Sequence, residues 1–158
     1  MLCMVLVGAA FIPLPRIVRT STSTQEPPPA HTFQPMDVYG NLCWENERAR
    51  LDNFAIRLQN DPKLIGYIVV YAGRISCRDE AKYRGNRARN YVLKLGVDPK
   101  RVIFKNGGFQ RDLETVLHVQ PKTWPDYQVS QFTLSKDEVS IRRCIDKVFA
   151  RVLCLNDQ

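Results

Sequence analysis

The chain is poor in the residues and motifs that build catalytic centres. It has two histidines, His31 and His118, and neither neighbours any of the five cysteines Cys3, Cys43, Cys77, Cys144 and Cys154. No C-x-x-C pair occurs, so the clustered ligands of a structural zinc site are missing and no metal is expected. There is no G-x-x-x-x-G-K-[ST] phosphate loop, no G-x-G-x-x-G after a strand and no G-x-S-x-G elbow. Cys43 and Cys77 lack an adjacent histidine to activate a thiolate. Asp79 and Glu80 are consecutive on a helix and point in different directions, which makes a poor acid–base pair. Gly107-Gly108 reads as a turn between strands. These absences argue against an enzyme and against a bound cofactor.

What is present suits one ordinary domain with extensions. Of 158 residues, 44% are hydrophobic and 25% charged, enough apolar material for a core. The net charge is +7, a balance that fits a polyanion, an anionic membrane surface or an acidic ligand. Most of it sits in 74–94, where Arg74, Arg78, Lys82, Arg84, Arg87, Arg89 and Lys94 face Asp79 and Glu80 alone. The longest apolar run, Met1 to Leu14, is shorter than the roughly 20 residues of a membrane span. It has the length of a secretory core region, though without a basic flank. Residues 1–18 are read as an export signal or its remnant, with a hydrophobic segment buried in the fold as the competing reading. Residues 19–36, with TSTST and Pro27-Pro28-Pro29, read as a flexible linker. Four cysteines without Cys3 would permit disulfides in an oxidising compartment; buried reduced thiols remain an equal alternative on counts alone.

Periodicity locates the domain at 37–120. A turn at Tyr39-Gly40-Asn41 and a short strand at Leu42-Cys43-Trp44 lead into a helix, where Leu51, Phe54, Ala55 and Leu58 share one face. Asn60-Asp61-Pro62 ends it. Gly66 to Tyr71 is a central strand. A second helix over 79–95 carries Ala81, Ala88, Tyr91, Val92 and Leu95 on its apolar stripe, and Gly96 supplies a left-handed cap. Arg101 to Phe104 forms a strand, Asn106-Gly107-Gly108 a bend, and Leu113 to Val119 an alternating strand with one less buried face. In the extension 121–158, a capping box at Ser135-Lys136-Asp137-Glu138 precedes Ile141, Ile145, Val148 and Val152 at helical spacing, so a C-terminal helix is expected. The class is α/β, an α+β sandwich of two helices on a mixed sheet.

The arrangement resembles the peptidoglycan-associated domain of OmpA-like proteins. The resemblance rests on Leu51 to Pro62, Gly66 to Tyr71, Asn86-Arg87-Ala88, Leu95-Gly96-Val97-Asp98-Pro99-Lys100-Arg101-Val102 and Gly107-Gly108, across about half the chain. It implies a β-α-β-α-β-β fold, a periplasmic or cell-envelope location, and contact with peptidoglycan or another envelope component. In the family, an Asp after the strand and the Arg of an Arg-Ala pair hold diaminopimelate. The Arg maps onto Arg87; the Asp falls at Gly73 or Ala72, so that acid is absent, with Asp79 and Asp52 as stand-ins. Arg87 and Arg74 are the candidate ligand-binding residues. In an exported domain Cys43 and Cys77 would pair and tie the loop down. The rival reading is a cytoplasmic nucleic-acid-binding module using the same basic segment with Tyr83 and Tyr91 interleaved. No specific nucleic acid is expected on the first reading, and the N-terminal segment would engage the export machinery or membrane.

Overall fold

The computed structural model describes residues 34–131 and 133–144. The signal-like segment, the linker up to residue 33, and Ile145, Val148 and Val152 lie outside them. The elements are β1 (Asp37–Tyr39), α1 (Trp44–Asn60), β2 (Leu64–Ala72), β3 (Ile75–Cys77), α2 (Glu80–Lys94), β4 (Val102–Phe109), β5 (Glu114–Pro121) and β6 (Ser140–Arg142), with 3-10 turns at Pro99–Arg101 and Lys136–Glu138. Four strands form a mixed sheet in the order β1-β5-β2-β4. β4 is parallel to β2, and β5 is antiparallel to both β2 and β1. The expected α+β class is the observed one.

β2 is the centre because its sequence can be buried on both faces. Ile68, Val69 and Val70 are fully enclosed. On one face Leu51, Phe54 and Leu58 of α1 and Ala81, Ala88 and Val92 of α2 close over Ile68, Val70 and Leu117. The α1 stripe legible in the periodicity is buried throughout; of the α2 stripe Ala81, Ala88 and Val92 are buried, Tyr91 is partly covered and Leu95 is 36% exposed. Gly85 brings α2 down onto β4: a Cβ there would stand 2.0 Å from the Phe104 ring. Gly96 has φ +92° just past α2, the left-handed stop expected of it. The C-terminal carbonyls of α1 are capped by Arg101, whose guanidinium donates to the carbonyls of Leu58 at 2.5 Å, Asp61 at 2.6 Å and Leu64 at 2.9 Å. The Leu58 and Asp61 carbonyls are groups a helix end leaves without intrahelical donors, and Leu64 is the first residue of β2.

Four expectations are corrected. The short strand lies at Asp37–Tyr39, not at Leu42 to Trp44, because Val38 pairs with Val116 while Trp44 is drawn into the first turn of α1. Asn106-Gly107-Gly108 is not a bend between strands. It lies within β4, which absorbs it as a register shift opposite Val70 and Tyr71. The second face of β5 is buried rather than half-open: Val116 and His118 are 7% and 2% exposed. The chain after Pro121 folds back over it, placing Tyr127 and Val129 against Tyr67, Val69 and Tyr71. Tyr67 donates to Asp126 at 2.8 Å and Ser130 N–H donates to the Tyr71 hydroxyl at 3.0 Å. The boundary expected at residue 120 thus falls inside one packed unit.

The fourth correction is the start of the C-terminal helix. Glu138 accepts from the Ser135 N–H at 2.9 Å and hydroxyl at 2.7 Å, so the capping residues make their contacts. They close a single 3-10 turn. The chain then extends as β6, parallel to β3, with Ser76 opposite Ile141 and Cys77 opposite Arg142. The backbone groups of the β3 edge recruit Ser140–Arg142 into a ladder where a first helical turn was expected.

His118 is buried with both ring nitrogens facing oxygens, Nδ1 the Gln34 carbonyl at 3.1 Å and Nε2 the Gln120 side-chain oxygen at 3.2 Å. Burial is the larger influence and lowers its pKa from 6.5; the two contacts oppose the shift. The unfolded chain therefore binds this proton more readily. The stabilisation is complete above about pH 6.5 and is lost as the pH falls through the lower folded value. Denaturant titrations of the native protein and His118→Asn are expected to diverge in pH dependence there, the native protein losing stability on acidification and the variant lacking that component. Gly85→Ala is expected to cost about 1–3 kcal/mol through overpacking, with part recovered by Phe104→Leu, measured by the same titrations.

Candidate functional site

Arg87 was the first candidate, and the fold gives it an internal partner. Its guanidinium pairs with Glu47 of α1, whose side chain is 3% exposed, and lies 4.3 Å above the Trp44 ring. The Tyr39 hydroxyl approaches the other carboxylate oxygen at 3.4 Å. Burial pushes the Glu47 carboxyl above its ordinary range against the pull of the Arg87 and Arg84 charges. Burial, reinforced by Glu47, also drives the Tyr39 hydroxyl well up. The guanidinium of Arg87 thus serves to join α2 to α1, and its carboxylate comes from the protein itself.

One helical turn earlier stands Arg84, which sequence reading counted only as a base. It is 5% exposed. Its Nε donates to Glu80 at 3.1 Å and a terminal nitrogen donates to Asn41 at 2.7 Å. The second Glu80 oxygen accepts from the Cys77 N–H at 3.1 Å. Its signal was visible: Glu80 four residues before it on a helix, and Arg87 three after it on the same face.

This network borders a hollow of about 370 Å³ lined by Asn41, Gly73, Arg74, Ile75, Glu80, Arg111, Asp112 and Leu113. Those residues come from the chain just past β1, β2 and β4, three strands that run the same way, together with the first residue of α2 and the approach to β5. Strand carboxyl ends are where open α/β sheets commonly place ligands, because their loops converge there without covering one another. The loops are bonded to each other: Arg74 N–H donates to Arg111 O at 3.2 Å and Gln110 N–H to Ala72 O at 2.9 Å. Arg74 stands on the rim of this hollow, its Nε held by the Glu138 carbonyl at 3.1 Å. Arg111 and Asp112 join it on the rim, two residues that no motif singled out.

The suggested stand-ins for the absent acid are elsewhere. Asp52 accepts from the Tyr91 hydroxyl at 2.7 Å. Asp79, at φ +59°, lines a separate hollow of about 300 Å³ with Cys77, Arg78, Lys82 and Ile141. The cysteines also differ from expectation. Cys77 is bonded to Cys144, with Cα atoms 5.5 Å apart, and Cys43 is disulfide-bonded without involving Cys77. Strand β6 carries Cys144 to the loop that Cys43 was expected to tie down. Among the described residues no group of three or more His, Cys, Asp or Glu side chains is placed to hold a metal, and no helix is long and apolar enough to cross a membrane.

Comparison of the chain with protein-family models, with curated proteins and with solved structures gives no match.

The two arginines are separable by experiment. Arg87→Ala leaves Glu47 buried without its main partner and is expected to cost about 3–5 kcal/mol. Replacing both, as Glu47→Leu with Arg87→Leu, is expected to recover most of that. Arg74→Ala on the exposed rim is expected to change stability by about 0.5 kcal/mol or less, all three read from chemical denaturation.

Proposed function

We propose that this chain is an exported, non-catalytic domain of the cell envelope that takes a zwitterionic amino-acid group of peptidoglycan in the hollow rimmed by Arg74, Arg111 and Asp112. The observation that carries the reading is the mixed charge of that rim, with Arg74 and Arg111 beside Asp112 over the Glu80–Arg84 pair. Arginine recognises a carboxylate with two parallel hydrogen bonds, and a neighbouring aspartate complements an ammonium. Diaminopimelate, the ligand implied by the resemblance, carries both groups on one carbon.

Two further observations support it. The strands of the main sheet and the two helices follow the order β1, α1, β2, α2, β4, β5, the β-α-β-α-β-β sequence that the resemblance to OmpA-like domains implies, with β3 and β6 added. The Cys77–Cys144 disulfide favours an oxidising compartment such as the periplasm. Relative to the family, the acid stands in the loop before β5 with Arg111 beside it, and Arg74 occupies the loop after β2.

The nucleic-acid reading has lost groups on which it rested. In the basic segment Arg84 and Arg87 are in internal ion pairs, Arg89 donates to the carbonyls of Val102 and Pro99, and Tyr91 is held by Asp52.

Sedimentation with purified sacculi tests the proposal. The native domain is expected to co-sediment and to be displaced by free diaminopimelate. Arg74→Ala/Arg111→Ala is expected to bind roughly tenfold more weakly or worse, as two charge-assisted contacts are lost. Retention equal to the native protein in that double variant would remove the hollow as the site.

A further inference from the structure

The ribbon formed by β3 and β6 carries cations for which the fold has no use. Arg78, Lys82, Arg142 and Arg143 are exposed and form no side-chain hydrogen bond or ion pair among the described residues. They come from two distant parts of the chain. Arg78 N–H donates to Arg142 O at 2.9 Å, and the Cys77–Cys144 disulfide brackets the contact. Arg78 and Lys82 share the 300 Å³ hollow with Ile141, and Asp79 is the exposed acid there, the neighbouring Glu80 being engaged by Arg84. The disulfide thus holds together two segments that carry four basic side chains, with Asp79 the exposed acid beside them.

Beside them the ribbon exposes apolar surface. Ile141 is 48% exposed and Ile75 63%. The register, with Ser76 opposite Ile141, puts the two isoleucines on opposite faces of the ribbon. All three residues of β6 are exposed, and among the described residues β6 pairs with β3 alone. A ribbon entering an interface by its edge presents both faces to it.

We propose that the β3–β6 ribbon docks on an anionic phospholipid bilayer, with Arg78, Lys82, Arg142 and Arg143 meeting lipid phosphates and Ile141 entering the headgroup–acyl boundary. A dissolved polyanion would satisfy the arginines and leave Ile141 in water. A bilayer satisfies both, since exposed apolar groups among basic residues partition there while the charges hold the headgroups. The surface is distinct from the Arg74–Arg111 hollow and does not depend on what that hollow binds. It would bring the domain against a membrane while the hollow faces another component.

Vesicle sedimentation with the full chain decides the matter. The protein is expected to partition onto phosphatidylcholine vesicles containing phosphatidylglycerol and not onto phosphatidylcholine alone. Binding should decline as added salt shortens the Debye length from ~8 Å toward ~3 Å. Arg142→Ala/Arg143→Ala is expected to weaken partition about 25-fold, near fivefold for each basic residue at an anionic surface. Ile141→Ser is expected to weaken vesicle binding while leaving retention on a heparin column unchanged, and reduction with dithiothreitol to weaken both. These positions are exposed, so thermal melts of the variants report whether the fold is intact, and their binding to sacculi should match the native protein. Failure to partition onto the anionic vesicles would overturn the proposal. So would vesicle binding indifferent to Ile141→Ser, which would mark a surface for soluble polyanions.

Discussion

A carboxylate sealed between two helices and a strand governs how this small domain is assembled. Glu47 cannot be buried as a charge without partners, because removing an ion from water costs several kcal/mol even after relaxation. Arg87 supplies the ion pair, Arg84 a second positive charge, and Tyr39 a hydroxyl. Those side chains come from β1, α1 and α2. The edge strand and both helices are thereby set relative to one another before any ligand is considered. Trp44 and Tyr91, packed edge to face at 5.5 Å, close the same junction from the side. An arginine committed in this way has little left to offer a ligand, and binding chemistry is displaced to the loops.

Those loops gain definition from the chain that follows the sheet. The segment after Pro121 seals the second face with Tyr127 and Val129, and Lys105 pairs with Asp126 at its border. The chain then crosses to β3, where a three-residue ladder encloses Ser76 and would be marginal alone. The Cys77–Cys144 bond compensates by holding the ends together. Both hollows use the outcome. One takes Ile75 and Arg74, which the Glu138 carbonyl steadies, and the other takes Ile141 and Arg78.

Much of the fold was legible because it depends on periodic apolar residues. Leu51, Phe54, Ala55 and Leu58 announced α1, and the unbroken Tyr67 to Tyr71 announced a central strand covered on at least one face. The errors cluster where a distant segment changes a local preference. Ser135 to Glu138 satisfies a helix-start pattern and makes the corresponding hydrogen bonds, yet β3 recruits the next residues into a strand. Gly107-Gly108 has turn composition and is held in β4 by pairing with β2. At the hollow, Arg74 was read as a loop cation and lies in the loop after β2, whereas Arg111 and Asp112 belong to no motif and become neighbours of Arg74 through a backbone hydrogen bond between loops.

Sequence alone determined that β2 is central, that two amphipathic helices pack on a mixed sheet, and that positive charge is concentrated around α2. Each follows from the spacing or the burial preference of residues close in the chain. Tertiary structure decided which positive charges are spent inside the protein and which remain outside. Arg84, Arg87 and Arg89 are consumed because folding brings Glu47, Asn41 and the carbonyls of Pro99 and Val102 within reach. Arg74, Arg78 and Lys82 stay at the surface, and β6 adds Arg142 and Arg143 to them. An arginine's availability depends on which acceptor the fold delivers to it, and spacing along the chain does not encode that delivery.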